Sequence, residues 1–546
     1  MSSKCDLLFG TLPEFVYKCG ESDRIAAVFD HEKITFTFTD VKKEMDTLAA
    51  GLLSIGLRPQ DRILICGSNT AHFFICALAC ARANLIFSLM SPNFANAEQL
   101  KYALVKGEFR AIICFPANRE VEFLNNLLNE LSPELMYSVK GRLCSKVLPK
   151  LTHVIMAEEE HKHAGTFTLS EIYGRSNREK VDKLPDFTTW DTHKLVALQF
   201  TSGISTSAKL VGLTHYQLLN GCNAIVKAIG FTDSNCICCA LPLFKMPIFS
   251  FLGLIPFIAN TQVIYPSPSP LPKFLFESIK KFQCTHLLSN AVALGLILRV
   301  AQIQNVHLPS IENIILLGER VPSDLIKNIT KQFENVQKVM NGYILTEVAS
   351  IPILTWDTAN IKGVGKPLNE FEINIRNVEI LSNWKGNNSN ESGELCIKAI
   401  KGSKFLGYET PFEEELEWIE TGDIVTKDED GIIEIITNKE DLIVDSSGQL
   451  VEHWILEKAL CSHNEVKGAQ IVALGKKLPL YAFIVLKNSQ INTDIILTDL
   501  IALCKNNKLN VPAKFAIVDD FPRVNTKIQK YRMRQMLENN EIQLKP

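Results

Sequence analysis

The sequence predicts an α/β protein that has a large N-terminal domain of mainly parallel sheets flanked by helices and a small, mobile C-terminal α+β domain. Two observations predict this organisation. Strand-like and helix-like segments alternate over residues 24–300, a pattern typical of parallel sheets covered by helices. Past residue 440 the strands become shorter and alternate with helices up to the last residues, which is typical of a compact α+β domain.

The first elements show the alternation most clearly. Residues 34–38 alternate in polarity and predict a strand, and apolar residues then recur at helical spacing over 41–53. A second strand is predicted over 62–66, a helix over 71–82 and a third strand over 85–89. Sheets of this kind bind their ligands at the carboxyl ends of the strands.

The C-terminal part follows a polar junction at 437–441, which contains Glu440 and lacks proline. Such a junction between two packed units predicts a hinge, so we expect an N-terminal domain over 1–436 and a C-terminal domain over 442–546. The elements predicted beyond the junction are strands over 441–444, 468–473, 481–486 and 514–518 and helices over 451–461, 493–504 and 528–538.

Composition excludes several classes of protein. The chain has 546 residues, of which 46% are hydrophobic and 21% charged, so it is globular rather than disordered or collagen-like. Its 57 Lys and Arg against 60 Asp and Glu give a net charge of −3, so no whole-protein field attracts nucleic acid, and any anion must be held locally. The 28 glycines are fewer than the roughly 38 expected from average usage.

The 15 cysteines are scattered singly through apolar runs. This distribution predicts reduced, buried thiols rather than a disulfide framework. Cys236 and Cys239 have the C-x-x-C spacing, but no second Cys/His pair accompanies them. We therefore expect a buried strand there and no metal site.

We recognise no targeting signal in the first or last residues of the sequence. The N-terminus lacks a signal or transit-peptide pattern, and the last three residues are not a peroxisomal signal. The longest uncharged apolar run, over 246–259, contains two prolines and is shorter than the roughly 20 residues that span a bilayer. We expect a soluble intracellular protein without a transmembrane segment.

One chemistry-bearing stretch follows an apolar strand that ends near residue 200. It is a run dense in hydroxyls with one ammonium, Lys209, and a helix start at Thr214. Backbone amides, hydroxyls and an ammonium in a turn suit a polyphosphate. The alternative is an ordinary Ser/Thr-rich turn.

Three further stretches are candidates. Tyr343, Thr346 and Glu347 could stack on a base, touch a phosphate and hold Mg²⁺. Asp423, after a glycine turn, could accept two ribose hydroxyls. A basic turn then leads over 521–532 into the final helix. Taken alone, each stretch is more typical of a plain turn or, for the last, of a solvated basic helix.

The order and spacing of these stretches resemble the adenylate-forming superfamily. That superfamily contains acyl-CoA synthetases, firefly luciferase and the adenylation domains of peptide synthetases. Residues 51–57, 199–203, 393–397 and 527–531 are most similar to its medium-chain acyl-CoA ligases, the branch of acyl-CoA synthetase family member 2. The resemblance covers essentially the whole chain and implies a mitochondrial location for the branch.

The resemblance implies a two-step reaction. A carboxylate attacks the α-phosphate of ATP to give an acyl-adenylate, the small domain rotates about the hinge, and the thiol of CoA displaces AMP. ATP, Mg²⁺ and CoA are therefore the implied cofactors, small molecules are the expected partners, and the oligomeric state is left open. The implied roles are phosphate binding by Thr201, Ser202, Gly203, Ser205 and Lys209; adenine stacking by Tyr343; α-phosphate contact by Thr346; Mg²⁺ binding by Glu347; ribose contact by Asp423 and Asn438; adenylation by Lys527; and contact with CoA or the acyl group by Lys245 and Gly448.

The sequence departs from the family pattern mainly in its loops. Seven positions where the family commonly has glycine carry other residues, and the arginine usual at the junction is Asn438. A Cβ at a position of positive φ costs about 1–2 kcal/mol, so we expect slower adenylation. The seven positions are Thr206, Leu210, Ile344, Thr437, Ser446, Ser447 and Thr526.

Two further alternatives stay open. The stretch from Pro522 is one residue shorter than the family pattern, which leaves Lys530 as a second candidate for the role of Lys527. The function is either an acyl-CoA ligase or a catalytically weak or inactive relative that binds a nucleotide or a fatty acid. A luciferase-like oxygenase is a third reading, but it rests on the fold alone.

Overall fold

The computed structural model describes the chain except for residues 1–5, 20–21, 95, 116–119, 159, 161–162, 202–207, 270, 319–320, 322, 356–362, 382–383, 385–390, 489–492 and 525–526. The chain divides into two compact units. The first unit comprises Met1–Glu372 and Lys398–Ile419, and the second comprises Ile373–Ile397 and Glu420–Pro546. The predicted domains, 1–436 and 442–546, are defined by an expected movement about the hinge, and they stay a prediction.

The strands of the first unit are short and almost entirely buried. Strands such as Ala111–Cys114 are apolar throughout, as expected for parallel sheets covered on both faces. In chain order they are β1 (Ile25–Phe29), β2 (Ile34–Thr37), β3 (Arg62–Cys66), β4 (Ile86–Met90), β5 (Ala111–Cys114), β6 (His153–Met156), β7 (Thr166–Thr168), β8 (Leu195–Phe200), β9 (Leu210–Thr214), β10 (Cys236–Cys239), β11 (Gln262–Tyr265), β12 (His286–Ser289), β13 (Asn313–Leu317), β14 (Lys338–Leu345), β15 (Ser350–Thr355) and β16 (Lys366–Pro367).

These strands form two sheets within the described residues. One is nine-stranded, in the order β16-β15-β14-β13-β12-β10-β11-β1-β2, and the other is seven-stranded, in the order β7-β6-β5-β3-β4-β8-β9. Strands β10 to β14 run parallel through the middle of the first sheet, and β3 to β8 run parallel through the second. Antiparallel pairs occur at sheet edges, where β8 meets β9 and β14 meets β15.

The helices of the first unit pack on these sheets. Ala71–Arg82 is apolar on every side, and all but one of its residues are buried, so it lies inside the unit. In chain order the helices are α1 (Leu12–Lys18), α2 (Phe38–Ser54), α3 (Ala71–Arg82), α4 (Ala97–Lys106), α5 (Glu120–Leu131), α6 (Leu169–Gly174), α7 (Arg178–Asp182), α8 (His215–Ile229), α9 (Met246–Ile248), α10 (Ile255–Ala259), α11 (Pro272–Phe282), α12 (Ala291–Ile303) and α13 (Ser323–Gln332).

The second unit contains small sheets and three α-helices in its described part; in the three-stranded sheet β21 and β22 are antiparallel, whereas β22 and β23 are parallel. A four-stranded sheet has the order β17-β18-β19-β20, a three-stranded sheet the order β21-β22-β23, and β24 pairs with β25. The elements are β17 (Ile373–Arg376), β18 (Glu391–Lys398), β19 (Trp418–Lys427), β20 (Ile433–Asn438), α14 (His453–Cys461), β21 (Val466–Ala473), β22 (Leu480–Leu486), α15 (Thr493–Asn506), β23 (Lys514–Ile517), β24 (Arg523–Val524), β25 (Lys527–Ile528) and α16 (Lys530–Glu538).

The predicted fold class is confirmed, and most predicted elements lie within a few residues of the observed ones. The strand predicted at 441–444 is wrong. The side chain of Asn438 accepts a hydrogen bond from the Glu440 amide and caps a 3₁₀ turn at Lys439–Asp441, so the chain bends there. Val444 takes part only in isolated bridges among the described residues.

The glycine turn predicted before Asp423 is also wrong. Gly422 lies inside β19, and its φ of +75° is an irregularity within the strand. The segment that holds Tyr343 is not a plain turn either, because it forms β14.

The described cysteines are free thiols, as predicted, and Cys236–Cys239 is a buried strand. Three described cysteines are exceptions to the predicted burial, because Cys144 and Cys461 are exposed and Cys19 is only half-buried. No group of three or more His, Cys, Asp and Glu among the described residues could hold a metal ion. Within the same residues, no helix has the length and apolar character needed to cross a membrane.

Candidate active site

The hydroxyl-rich turn closes a β-hairpin. Strand β8 pairs with β9 up to Phe200 and Leu210. Beyond that pair the Thr201 amide donates to the Lys209 carbonyl at 2.9 Å, and the Lys209 amide donates to Thr201 Oγ1 at 3.3 Å. Thr201 and Lys209 therefore face each other at the base of the turn, at the carboxyl end of β8.

The tip of this turn, with Ser202, Gly203, Ser205 and Thr206, lies outside the described residues. Lys209 is exposed at its base. Thr214, at the other end of β9, begins α8 as predicted. Its hydroxyl accepts from the Gln217 amide at 3.2 Å, and its own amide donates to the Gln217 side chain at 2.9 Å.

The Tyr-x-x-Thr-Glu stretch lies where β14 ends. Tyr343 is buried in β14 opposite Ile353 of β15. The chain then forms a 3₁₀ turn, Thr346–Val348, in which Thr346 and Glu347 are half-buried. Strand β9 packs against this turn, so the hairpin and the Tyr-x-x-Thr-Glu stretch come together in the first unit.

Tyr408 links these two segments, although no sequence motif pointed to it. Its hydroxyl donates to Glu347 Oε1 at 3.0 Å, and the Lys209 ammonium lies 4.4 Å from the centroid of its ring. The ring of Phe405 supports it edge-on at 4.9 Å. A tyrosine thus connects the ammonium at the base of the hairpin with the candidate metal-binding carboxylate, an arrangement called the Lys209–Tyr408–Glu347 chain below.

Several buried polar atoms lie at the carboxyl ends of the strands of the seven-stranded sheet. Ser68 and Thr70 follow β3, and Gln199 lies near the end of β8. Ser68 Oγ, Thr70 Oγ1 and Gln199 Oε1 are buried and have no hydrogen-bond partner among the described residues. Since a buried polar group without a partner costs free energy, this edge of the sheet is suited to a polar ligand.

The second unit holds the Thr-Gly-Asp stretch. Asp423 of β19 pairs with Asn438 of β20, and the Asn438 amide nitrogen donates to Asp423 Oδ1 at 3.3 Å. Asn438 Oδ1 accepts from the Glu440 amide at 3.0 Å, which orients its side chain. A Cβ at Gly422 would lie 3.4 Å from Asn438 Nδ2, which is ordinary van der Waals contact, so it is the positive φ at this position that favours glycine.

The predicted hinge residues have side-chain contacts within the second unit. Lys439 pairs with the buried Glu394 at 2.7 Å, and this hydrogen bond raises the pKa of Lys439. Asp441 pairs with Arg534 at 2.9 Å, and Glu440 lies 3.6 Å from Lys476. The role of 437–441 as a hinge stays a prediction.

His453 of α14 lies against the same segment. Its Nε2 is 3.2 Å from Thr437 Oγ1, and its Nδ1 is buried without a partner among the described residues. Burial, followed by the charges of Lys530 and Arg534, lowers the pKa of His453 to about 2. The imidazole is therefore neutral in the folded protein.

The two candidate lysines near the C-terminus differ in environment. Lys527 lies opposite Val524 in the β24–β25 pair, and its side chain is outside the described part of the structure. The Lys530 ammonium pairs with Glu457 Oε1 at 2.6 Å, and both side chains are largely buried. Burial raises the pKa of Glu457 although the lysine opposes it. The Lys530 ammonium is therefore engaged in a buried ion pair, and the choice between Lys527 and Lys530 stays a prediction.

The remaining predicted residues lie in different units. Lys245 is half-buried just before α9 in the first unit. Gly448 has a φ of +82° in an exposed turn of the second unit. In that turn Asp445 Oδ1 accepts from the Ser447 hydroxyl at 2.6 Å and the Gln449 amide at 2.9 Å, and these bonds lower the pKa of Asp445.

The chain is similar in sequence and in fold to proteins of a known family. The sequence profile of a family described as AMP-binding enzyme matches residues 18–408. Medium-chain acyl-CoA ligase ACSF2, mitochondrial, of Bos taurus is 28% identical over 543 residues, which cover 95% of this chain and 86% of the relative.

Solved structures share the fold. A benzoate CoA ligase from Burkholderia xenovorans LB400 has a TM-score of 0.75 at 18% identity and covers 96% of this chain and 100% of its own. ATP-bound MatB from Rhodopseudomonas palustris has a TM-score of 0.76 at 17% identity, with 98% and 100% covered. The family resemblance predicted from the motifs is confirmed.

Proposed function

Because the chain belongs to the AMP-binding enzyme family, we propose that it is an ATP-dependent, AMP-forming acid–CoA ligase. It converts a fatty or other carboxylic acid to an acyl-adenylate and then to an acyl-CoA thioester. Its relatives among curated proteins are named as mitochondrial medium-chain acyl-CoA ligases. The proposal therefore includes a fatty acid as substrate and the mitochondrion as compartment.

The observation that carries the proposal is the Lys209–Tyr408–Glu347 chain. It joins the base of a hydroxyl-rich hairpin to the carboxylate of a Tyr-x-x-Thr-Glu turn. In the proposed reaction Thr201, Ser202, Gly203, Ser205 and Lys209 bind the phosphates of ATP, Tyr343 stacks on adenine, and Thr346 contacts the α-phosphate. The protein supplies no nucleophile, so catalysis consists of positioning and charge stabilisation.

Glu347 is suited to Mg²⁺ that arrives on ATP. The ion prefers oxygen ligands and is usually held by one or two carboxylates together with substrate phosphates and water. The Tyr408 hydroxyl orients the Glu347 carboxylate at 3.0 Å.

The proposed roles in the second unit rest on its own geometry. Asp423 would accept the ribose hydroxyls, and Asn438, which donates to Asp423 at 3.3 Å, would hold it in place. Lys527 would bridge the substrate carboxylate and the phosphate during adenylation. We further propose that 437–441, with Glu440, is the hinge between domains over 1–436 and 442–546, and that Lys245 and Gly448 lie near CoA or the acyl group.

Backbone conformation supports a working ligase over a weak nucleotide- or fatty-acid-binding relative. Leu210, Ile344 and Thr437 lie in strands. Neither these residues nor Ser446 and Ser447 are among the described residues with positive φ. The loss of glycine therefore causes no backbone strain at these five positions.

The experiment is to incubate the pure protein with ATP, Mg²⁺, CoA and saturated acids of increasing length and to measure AMP. AMP that depends on both the acid and CoA supports the ligase. Ligand-induced thermal stabilisation without AMP from any acid would instead favour the binding protein.

A further inference from the structure

The segment between α5 and β6 is unusually basic for a chain of net charge −3. Residues 135–156 contain Lys140, Arg142, Lys146 and Lys150 and no Asp or Glu. Lys140 pairs with Glu171 at 2.5 Å. Among the described residues, no carboxylate pairs with the side chains of Arg142, Lys146 or Lys150, and all three are exposed.

Apolar side chains are exposed on the same segment. Tyr137 is 75% exposed, Val139 67% and Met136 48%. They belong to an ordered part of the fold, because Leu143, Leu148 and Leu151 anchor the segment in the core of the first unit. Met136, Tyr137, Val139, Arg142, Lys146 and Lys150 are called the 136–150 surface below.

The 136–150 surface lies away from the candidate active site, so a partner bound to it would not cover that site. The segment leads into the amino end of β6. Strands β6, β5, β3, β4 and β8 run parallel, and Thr201 follows the carboxyl end of β8. The 136–150 surface therefore lies near the amino ends of the parallel strands, whereas the hydroxyl-rich hairpin lies at their carboxyl ends.

We propose that the 136–150 surface docks the protein on an anionic lipid bilayer. Unpaired lysine and arginine side chains are attracted to the negative headgroups, while the neighbouring apolar side chains enter the interface. The combination favours lipid over nucleic acid, because the aliphatic Met136 and Val139 have no counterpart on a phosphate backbone, whereas both partition into a bilayer interface. Of two acidic residues near the surface, Glu171 is paired with Lys140, and Glu134 keeps its charge while it accepts a hydrogen bond from Ser132. The three unpaired basic side chains outnumber that one carboxylate.

The test is sedimentation of the full chain with vesicles of phosphatidylcholine, with and without phosphatidylglycerol. We expect binding only to the vesicles that contain phosphatidylglycerol, with loss at high salt. The triple variant R142Q/K146Q/K150Q should bind about tenfold or more weakly. The matched control K280Q/K327Q/K331Q removes three exposed lysines from α11 and α13 and should bind like the parent.

A second variant, Y137S/V139S, isolates the apolar contribution and should also weaken binding while leaving AMP formation from a soluble acid unchanged. The exposed thiol of Cys144 provides a direct reporter. In a chain with Cys5 and Cys461 replaced by serine, an environment-sensitive dye can be attached to Cys144. Its fluorescence emission should shift to the blue when anionic vesicles are added.

Three results would overturn the proposal. Equal binding of the parent and the R142Q triple variant would show that the surface is not used. Equal weakening by the control triple would indicate a nonspecific charge effect. Retention by an oligonucleotide or self-association that the R142Q triple abolishes, with no vesicle binding by the parent, would assign the surface to nucleic acid or to a second copy of the chain.

Discussion

The hydroxyl of Tyr408 donates a hydrogen bond of 3.0 Å to Oε1 of Glu347, and the ammonium of Lys209 lies over the same tyrosine ring. Three segments that are distant in sequence thus meet at one aromatic side chain. A carboxylate that accepts such a bond has a defined orientation before any ligand arrives.

Replacing Tyr408 by phenylalanine removes the hydrogen bond but keeps the ring beneath Lys209. Hydrogen bonds to charged groups contribute about 1.5–3 kcal/mol, so we expect kcat/KM for adenylation to fall about tenfold or more. The protein should also need more Mg²⁺ for half-maximal activity. Y137F, at an exposed tyrosine, should leave both values unchanged. Full activity of Y408F at the parent Mg²⁺ requirement would contradict the positioning role.

Restoring the family's glycine at Leu210 should harm the protein rather than accelerate it. Leu210 lies in β9, is 1% exposed and belongs to the core of the first unit. Truncating a buried leucine costs about 2–5 kcal/mol, and glycine weakens a strand further. We expect L210G to have a lower melting temperature and no faster adenylation. A faster enzyme of unchanged stability would show that Leu210 does hinder the phosphate-binding turn.

The two C-terminal lysines should separate catalysis from stability. K527A should abolish adenylation, spare thioester formation from supplied acyl-adenylate and leave the melting temperature unchanged. K530M should leave the carboxylate of Glu457 buried without its partner, which costs about 3–5 kcal/mol. Thermal unfolding and the two half-reactions, measured on both variants, check this. The reverse pattern would exchange the roles assigned to Lys527 and Lys530.

Asn438 should affect ATP binding through Asp423. N438D replaces a donor that lies 3.3 Å from Asp423 by a like charge. Two carboxylates at this distance repel each other, so one of them is protonated more easily. Both then accept hydrogen bonds from the ribose hydroxyls less well. We expect the KM for ATP to rise about tenfold, in line with the loss of a charge-assisted hydrogen bond. N507D, which makes the same charge change at an exposed asparagine, is the control, and an equal effect there would refute the contact.

The neutral His453 predicts a pH dependence of stability. Its folded pKa of about 2 is far below the ordinary value for histidine, so the unfolded chain takes up a proton that the folded protein refuses. The stability associated with His453 is therefore complete above pH of about 6.5 and falls, at up to roughly 1.4 kcal/mol per unit, as the pH decreases toward 2.

Urea unfolding of the parent and H453Q at neutral and mildly acidic pH measures this effect. The loss of stability on acidification should be smaller in H453Q, because glutamine takes up no proton. H307Q, at an exposed histidine, is the matched control. Identical acid sensitivity of the parent and H453Q would show that the imidazole is protonated in the folded state.

Much of the fold could be predicted because local patterns agree with tertiary packing. The helix predicted over 71–82 has the observed bounds Ala71–Arg82, and the strand predicted over 62–66 is Arg62–Cys66. The strand predicted over 441–444 failed because a side-chain cap from Asn438 outweighs the apolar pattern that follows. The sequence predicted a turn at Gly422 because a glycine with positive φ inside a strand cannot be distinguished from a turn glycine by local sequence.

The candidate site was predictable in its residue types but not in its connections. Tyr343, Thr346 and Glu347 were identifiable because they share one short stretch. Tyr408 was not, since its contact with Glu347 spans 61 residues and only the fold brings the two together. The glycine that precedes it, Gly407, is visible in the sequence, but only the structure shows that its φ is +85°. The ion pair of Lys530 with Glu457 is equally nonlocal and could not be read from spacing.

ATP–pyrophosphate exchange with a panel of carboxylic acids is the most direct test of whether this chain forms an acyl-adenylate. It measures formation of the acyl-adenylate without requiring CoA. We expect exchange that depends on the acid and on Mg²⁺, that is strongly reduced in Y408F and that is absent in K527A. No exchange with any acid, in a protein that still binds ATP, would refute the proposed ligase activity and identify a nucleotide-binding relative.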